Sequence, residues 1–296
     1  MTPFSISGLQ YVLGEQQRPY REASGFDTLG MPQRPAMWGW GNYFETNRDV
    51  TEMLVAVGRN VIEAADVGRT AIDGVIVARA NVLGPDETAV PAIAAILGSL
   101  GIPGAIGSIH TGNGCSTALG AIRAAGALVA GGAMRNVLVL SGDKAGAGER
   151  RAQRFGIFSD AACGCVVSES GRGEFQIIAV SQAIDTATMH AEAGFSSGLA
   201  QQTNRQLLGS SSAASIQKVF SNNVFLPIVM LKEQEAGFEA AQIHTENISR
   251  IGHCYASDPL INFADFAAGG HVRPEHTYML AADSPGLRIS MLVEKT

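Results

Sequence analysis

Ser108-Ile-His-Thr-Gly-Asn-Gly-Cys115-Ser-Thr-Ala-Leu-Gly-Ala-Ile-Arg-Ala-Ala-Gly-Ala-Leu-Val-Ala-Gly-Gly-Ala-Met-Arg-Asn-Val-Leu-Val-Leu-Ser-Gly-Asp143 is the stretch on which the reading of the chain turns. Gly112 and Gly114 make a turn that delivers Cys115 to the first turn of a long helix of small residues, and Val137 to Leu140 follows as a buried strand. A thiol at a helix N-terminus lies among unpaired N–H groups and at the positive end of the macrodipole, which favours the thiolate. The same N–H groups suit the oxyanion of an attacked carbonyl. The plainer alternative is a buried Cys that fills space where only small residues fit.

A second copy of the pattern weighs against that alternative. From Cys115 to Gly131 is 16 residues and from Cys254 to Gly269 is 15; from Cys115 to Asp143 is 28 and from Cys254 to Asp283 is 29. Both copies run Gly-turn, helix, Gly-Gly, strand, acidic turn. A duplicated plan predicts two similar halves whose equivalent helix N-termini converge, so that His253 faces Cys115. A Cys nucleophile needs a base within hydrogen-bond reach, and His is the usual one near neutral pH. His110 is expected to end a strand near the pocket, whereas His190, His244, His271 and His276 lie in polar stretches that read as exposed.

Composition excludes other classes. The 296 residues carry a net charge of −6, which argues against a nucleic-acid surface. No apolar run is long or clean enough to span a bilayer, and Met1 to Ser7 lack the order of a signal peptide, so the expected location is cytoplasmic, with no membrane partner. Cys115, Cys163, Cys165 and Cys254 have no metal-ligand spacing, so neither a metal site nor a disulfide is expected.

Outward from the central stretch, the pattern predicts a strand at 4–6, an amphipathic helix over 50–65, a buried strand at 73–78 and a helix over 90–100. Trp38-Gly-Trp40 lies in a Gly, Pro and aromatic-rich segment that reads either as a substrate-covering loop or as a surface excursion anchored by its rings. Lys144 to Arg154, which includes Arg151, reads as a mobile basic connection. Strands follow to Ser168 and over 175–181, then a polar insert of loop or short helix at 182–215. Leu226 to Ala236 is a helix with Pro227 near its start, and strands are expected at 277–281 and 287–293. The division is a first half at 1–181 with Cys115 and a second at 182–296 with His253.

These residues resemble the thiolase superfamily of condensing enzymes, and within it beta-ketoacyl-acyl carrier protein synthase III. Gly112-Asn-Gly-Cys115-Ser-Thr-Ala-Leu-Gly is similar to the family's nucleophile turn. Phe158-Ser-Asp-Ala-Ala-Cys-Gly-Cys resembles its Phe-Gly-Asp-Gly-Ala-Gly-Ala strand, and Gly252-His-Cys-Tyr-Ala-Ser-Asp-Pro259 its Gly-Asn-Thr-Ser-Ala-Ala-Ser-Val-Pro run. The resemblance covers the chain from about Val50 onward. It implies an α/β protein with an αβαβα layered fold built from two duplicated halves. Cys115 would be the nucleophile, with Asn222 and His253 exchanged relative to the synthases, which place His in the first position and Asn in the second. Asn222-Asn-Val-Phe225 and Gly252-His253 follow the order of thiolases proper. A second oxyanion donor is expected near Ser284, although that turn lacks the family's glycines, and Ser284, Trp38 and Arg151 are the candidate substrate contacts. The partners implied are acyl-CoA or acyl carrier protein as substrates, with no cofactor, and a homodimer or a heterodimer with another condensing-enzyme subunit. Val137 to Leu140 is expected at the sheet edge of that dimer. The activity implied is formation of an acyl-Cys115 intermediate and its condensation with a second thioester, in fatty acid, polyketide or related biosynthesis. The alternatives are transfer to an alcohol or amine, and a non-catalytic subunit.

Overall fold

The computed structural model describes residues 2–81, 89–146, 148–189, 196–209 and 211–296. Its frame is nine strands: β1 (Phe4–Leu13), β2 (Gly74–Ala78), β3 (Ile106–His110), β4 (Asn136–Asp143), β5 (Ala161–Glu169), β6 (Phe175–Ile184), β7 (Ile216–Phe220), β8 (Thr277–Ser284) and β9 (Leu287–Lys295). Their order across the sheet is β7-β8-β9-β6-β1-β5-β4-β2-β3. The helices that pack on them are α1 (Val50–Ala64), α2 (Ala89–Leu100), α3 (Thr117–Ala130), α4 (Ser197–Leu208), α5 (Leu226–Glu235) and α6 (Asp258–Ala268).

Alternation along the strands sorts residues into layers. In β4, Val137 and Val139 join a core with Leu119, Ile122 and Ala125 of α3, whereas Leu138 and Leu140 join another with Val57 and Val61 of α1. In β8, Tyr278, Leu280 and Ala282 share the α3 core, which also takes in Leu260, Ile261 and Phe263 of α6, while Met279 and Ala281 pack outward near Val229 of α5. Both faces of each half-sheet are therefore covered, with α3 and α6 in the middle of an αβαβα sandwich. Small residues let α3 lie there. At Gly126 a Cβ would sit 2.4 Å from the Phe4 ring.

The duplication is visible in three dimensions. A 3₁₀ turn at Gly114–Ser116 leads into α3, then β4 ending at Asp143; a 3₁₀ turn at Tyr255–Ser257 leads into α6, then β8 ending at Ser284 just beyond Asp283. Each central helix stops at a glycine, Gly131 and Gly269.

Four expectations change. β4 lies inside the sheet between β2 and β5, and the edge strand on that side is β3, beyond β2, because strand order is set by helix crossovers that local sequence does not encode. β6 pairs along its length with β9, so the division drawn after residue 181 falls inside a strand, and the turn between the halves lies at 170–174. The polar insert, expected as loop or short helix, contains the helix α4, whose buried stripe of Leu199, Ala200, Thr203 and Asn204 is half polar and so weak in hydrophobic pattern. The basic connection is tied down, since Lys144 Nζ donates to the carbonyls of Arg48 and Thr46. His244 is buried and not exposed, and His190 lies outside the described residues.

Candidate active site

Gly112 and Gly114 have φ of 90° and 50°, and a Cβ on Gly114 would meet Ser284 Oγ at 2.9 Å. Glycine is thus required where the turn hands Cys115 to α3. The Cys115 side is half-buried, and its Sγ lies 3.3 Å from Nε2 of His253.

His253 is fully buried and fixed from every side. Its N–H donates to Ile157 O at 2.8 Å, its carbonyl accepts from Ser159 N at 2.9 Å, and the Phe158 ring lies 4.7 Å from the imidazole. Nδ1 bonds to the carboxylate of Asp258, the first residue of α6. Asp258 in turn accepts from Asn223 N at 2.7 Å, Asn223 Nδ2 at 3.3 Å and Cys254 N at 2.6 Å. Those bonds leave one arrangement for the ring, with Nδ1–H toward the carboxylate and Nε2 toward the sulfur. Burial by itself would lower the His253 pKa, but the Asp258 charge, helped by Cys115, raises it to about 10. An imidazole so poised is placed to take a proton from the thiol 3.3 Å away. Burial pushes the Cys163 thiol up to about 12 and raises Cys165 and Cys254 as well.

Asn222 is buried. Its Oδ1 accepts from Asp283 N at 2.7 Å, and its Nδ2 has no hydrogen-bond partner among the described residues. A buried amide donor left unpaired costs stability, and it is free to meet a ligand oxygen. Asp283 itself belongs to a buried quartet with Lys232, Glu233 and Arg288, in which Arg288 pairs with Glu233 at 3.0 Å and Asp283 at 2.9 Å.

The three expected substrate contacts lie elsewhere or act otherwise. Ser284 Oγ donates to Asn113 O at 2.6 Å and accepts from Ser116 N at 3.0 Å, so its hydroxyl clamps the nucleophile turn. Arg151 is buried in a two-pronged pair with Asp160, both bonds 2.8 Å, and is not free to meet a substrate. Trp38 donates to Pro32 O and stacks near Trp40 and Phe225, the anchored excursion of the two readings. Sequence reasoning missed Asp258, whose signal was an acid opening a helix five residues after a histidine. A cavity of about 670 Å³ around Arg69, Asp73 and Arg135 lies at the opposite ends of β2, β3 and β4 from Cys115, and the chemistry places the candidate site at the Cys–His contact instead.

Fold and site together define a class. Residues 110–186, which include Cys115, match the model of the 3-oxoacyl-[acyl-carrier-protein (ACP)] synthase III family. Among solved structures it is similar to ChlB3, described as an acyltransferase, with TM-score 0.85, 15% identity and coverage of 100% of this chain and 98% of that one. The 3-oxoacyl-[acyl-carrier-protein] synthase III of Aquifex aeolicus superposes with TM-score 0.82 and 14% identity over 98% of this chain and 99% of its own. OleA of Xanthomonas campestris with bound lauric acid and lauroyl-CoA gives TM-score 0.83 and 15% identity over 100% and 99%. No curated protein sequence matches.

Proposed function

We propose that the protein is an acyl-thioester transferase that carries its acyl group on Cys115. The observation that supports this reading is the 3.3 Å contact between Cys115 Sγ and a His253 whose other nitrogen is held by a buried carboxylate. The thiolate attacks the carbonyl carbon of an acyl-CoA or acyl-carrier-protein thioester. The tetrahedral oxyanion meets the backbone N–H of Cys115 at the start of α3, while Ser116 N–H is engaged by Ser284 and Asn113. Collapse breaks the carbon–sulfur bond to the leaving group, and the imidazolium returns a proton to the departing thiolate.

In the second step the acyl-enzyme condenses with a carbon nucleophile from another thioester, whose carbonyl oxygen takes the Asn222 amide as donor. Transfer to an alcohol or amine is the second reading, and the Asp258–His253 pair favours it, because a carboxylate-backed imidazole is what removes a proton from an O–H or N–H nucleophile. Intact-mass spectrometry after incubation with acyl-CoAs tests the first step: an acyl adduct on Cys115 is expected, and none on any residue overturns the reading. Adding malonyl-CoA or small alcohols and amines to the acyl-enzyme then separates the two second steps.

We further propose a dimer through β3. This edge strand leaves backbone groups unpaired, Ile106 is 67% exposed, and the neighbouring α2 is apolar with Val90 79% exposed. Sedimentation showing a stable monomer at micromolar concentration counts against it. No helix among the described residues is long and apolar enough to cross a membrane.

A further inference from the structure

Asp258, Asn262 and Asp265 stand at i, i+4 and i+7 along α6, so they form one stripe, polar where a central helix would bury apolar residues. Asn223, from the turn after β7, and Asn247, from the short helix Glu246–Ile251, meet this stripe, and both are buried. The hydrogen bonds among them run in one direction. Arg250 Nε donates to Asn247 Oδ1 at 2.7 Å, Asn247 Nδ2 to Asn262 Oδ1 at 2.9 Å, Asn262 Nδ2 to Asn223 Oδ1 at 2.9 Å, and Asn223 Nδ2 to Asp258 at 3.3 Å. Asp258 then holds Nδ1 of His253, whose Nε2 faces Cys115.

An amide can turn over and exchange its donor for its acceptor, so a line of three needs its sense fixed from outside. A guanidinium only donates, so Asn247 must show Arg250 its oxygen; the Asp265 carboxylate only accepts, and it takes the other Asn247 N–H at 2.7 Å. The Ser221 carbonyl only accepts as well, so Asn262 must turn its amide nitrogen that way, at 2.9 Å. With Asn262 so held, Asn223 is left one orientation, oxygen toward Asn262 and N–H toward Asp258. At the outer end Asp265 also pairs with Arg250 and accepts from Tyr11 Oη at 2.6 Å.

Donors to an ionised carboxylate favour it over the neutral acid, and Asp258, sealed from water, depends on the donors the fold supplies. Were the Asn223 amide to turn over, its oxygen would face the carboxylate; the proton shared with His253 would settle on the acid, leaving an uncharged imidazole opposite Cys115. The other titratable groups around the pair are Cys163 of β5 and Cys254 and Tyr255 of the same turn, and burial raises all three above their ordinary ranges. The charges of Asp143 and Asp160 also act on this turn, each paired to its own arginine. Cys115 is left as the partner of the imidazole.

We propose that Asn262 is a positioning residue for the Cys115–His253 pair: it fixes the Asn223 amide with its N–H toward Asp258, and so keeps the carboxylate ionised and aimed at the imidazole. The proposal rests on the reading of Cys115 and His253 as the reacting pair and adds the line of amides behind them.

The test follows alkylation of Cys115 by iodoacetamide in the whole chain from pH 6 to pH 10, read by intact mass, and needs no acyl donor. Asn262→Leu keeps the bulk of the side chain and removes its hydrogen bonds. It is expected to lower the rate at pH 7 roughly tenfold, the effect of one unit in the ionisation of the pair, and to meet the wild-type rate near pH 10, where an ordinary thiol is ionised without help. A loss equal at every pH, or a profile that does not move, would show a structural role and overturn the proposal. A second measurement uses the unaltered chain and so does not depend on the variant folding. With isotope-labelled asparagine, the side-chain amide signals of Asn223 and Asn262 are expected to move together, with the midpoint of the His253 ring signal, as pH rises from 7 to 10.5. An Asn262 amide that stays still while the ring titrates overturns the proposal. If no thioester acylates Cys115, the acyl-transfer reading fails, and these two measurements still decide the role of Asn262.

Discussion

The two helix starts that meet at the site share a plan and differ in how they are held. Cys115 stands on a turn clamped by neutral hydroxyls and carbonyls, those of Ser284, Ser116 and Asn113, and its side is partly open. His253 stands on a turn sealed from solvent and fastened by a carboxylate. The contrast repeats at the equivalent strand ends. Burial raises Asp143 to about 6, against the pull of Arg79 and the N–H groups of Ala80 and Asn81. Burial also opposes ionisation of Asp283, but Arg288 and then Lys232 overcome it and hold the carboxyl below its ordinary range. On the proposed function, one half presents the reactive group and the other fixes the charges that activate it.

The sharpest way to break that division of labour is kinetic. His253→Ala should slow Cys115 acylation by roughly two to four orders of magnitude, the usual range for a lost general base. Asn222→Ala should leave acylation largely intact and depress the later transfer, and single-turnover mass spectrometry reads both steps. The opposite pattern would move the base role to a residue that has no basic nitrogen.

Next in size is the charge lock. Arg288→Met leaves Asp283 and Glu233 buried with only Lys232 between them, and should cost about 3–5 kcal/mol in urea unfolding. Arg79→Met should cost less, because Asp143 already titrates at about 6 and can take up a proton when its partner is lost. Equal costs would erase the distinction between the halves.

A pH series sharpens it further. The His253 pKa is raised from 6.5 to about 10, so its contribution to stability is fully present below pH 6.5 and is lost as pH rises through about 10. Urea midpoints at pH 7 and pH 10.5 should fall more for the wild type than for Asp258→Asn, which removes the charge that raises the imidazole. A parallel decline in both proteins would assign the loss to other groups.

Smallest is the clamp on the open side. Ser284→Ala removes the hydroxyl's bonds to Asn113 O and Ser116 N, which keep their bond to each other, and should cost about 0.5–1.5 kcal/mol, the range for a lost hydrogen bond. It should also slow acylation less than His253→Ala does.

What was legible in the sequence followed from local constraint. Gly112, Gly114 and the small residues of α3 identify the nucleophile turn, and the spacing shared with Cys254 identifies His253, because glycine turns and helix lengths are written in adjacent residues. Asp258 stayed unread because its role depends on a ring five positions earlier folding back through a 3₁₀ turn. Arg151 looked like a free cation because nothing local shows that Asp160 takes both prongs of its guanidinium. The position of β3 at the edge followed from crossovers, and α4 was hidden by Thr203 and Asn204, polar residues satisfied in the core by Leu199 O and Ala236 O.

Of the four thiols, three are sealed in the protein and only Cys115 reaches the surface. To an electrophile the native molecule presents one address. Iodoacetamide should add a single equivalent, a peroxide should inactivate in one hit through a sulfenic acid at Cys115, and a fluorophore or spin label can be attached at the reacting atom without mutating another cysteine.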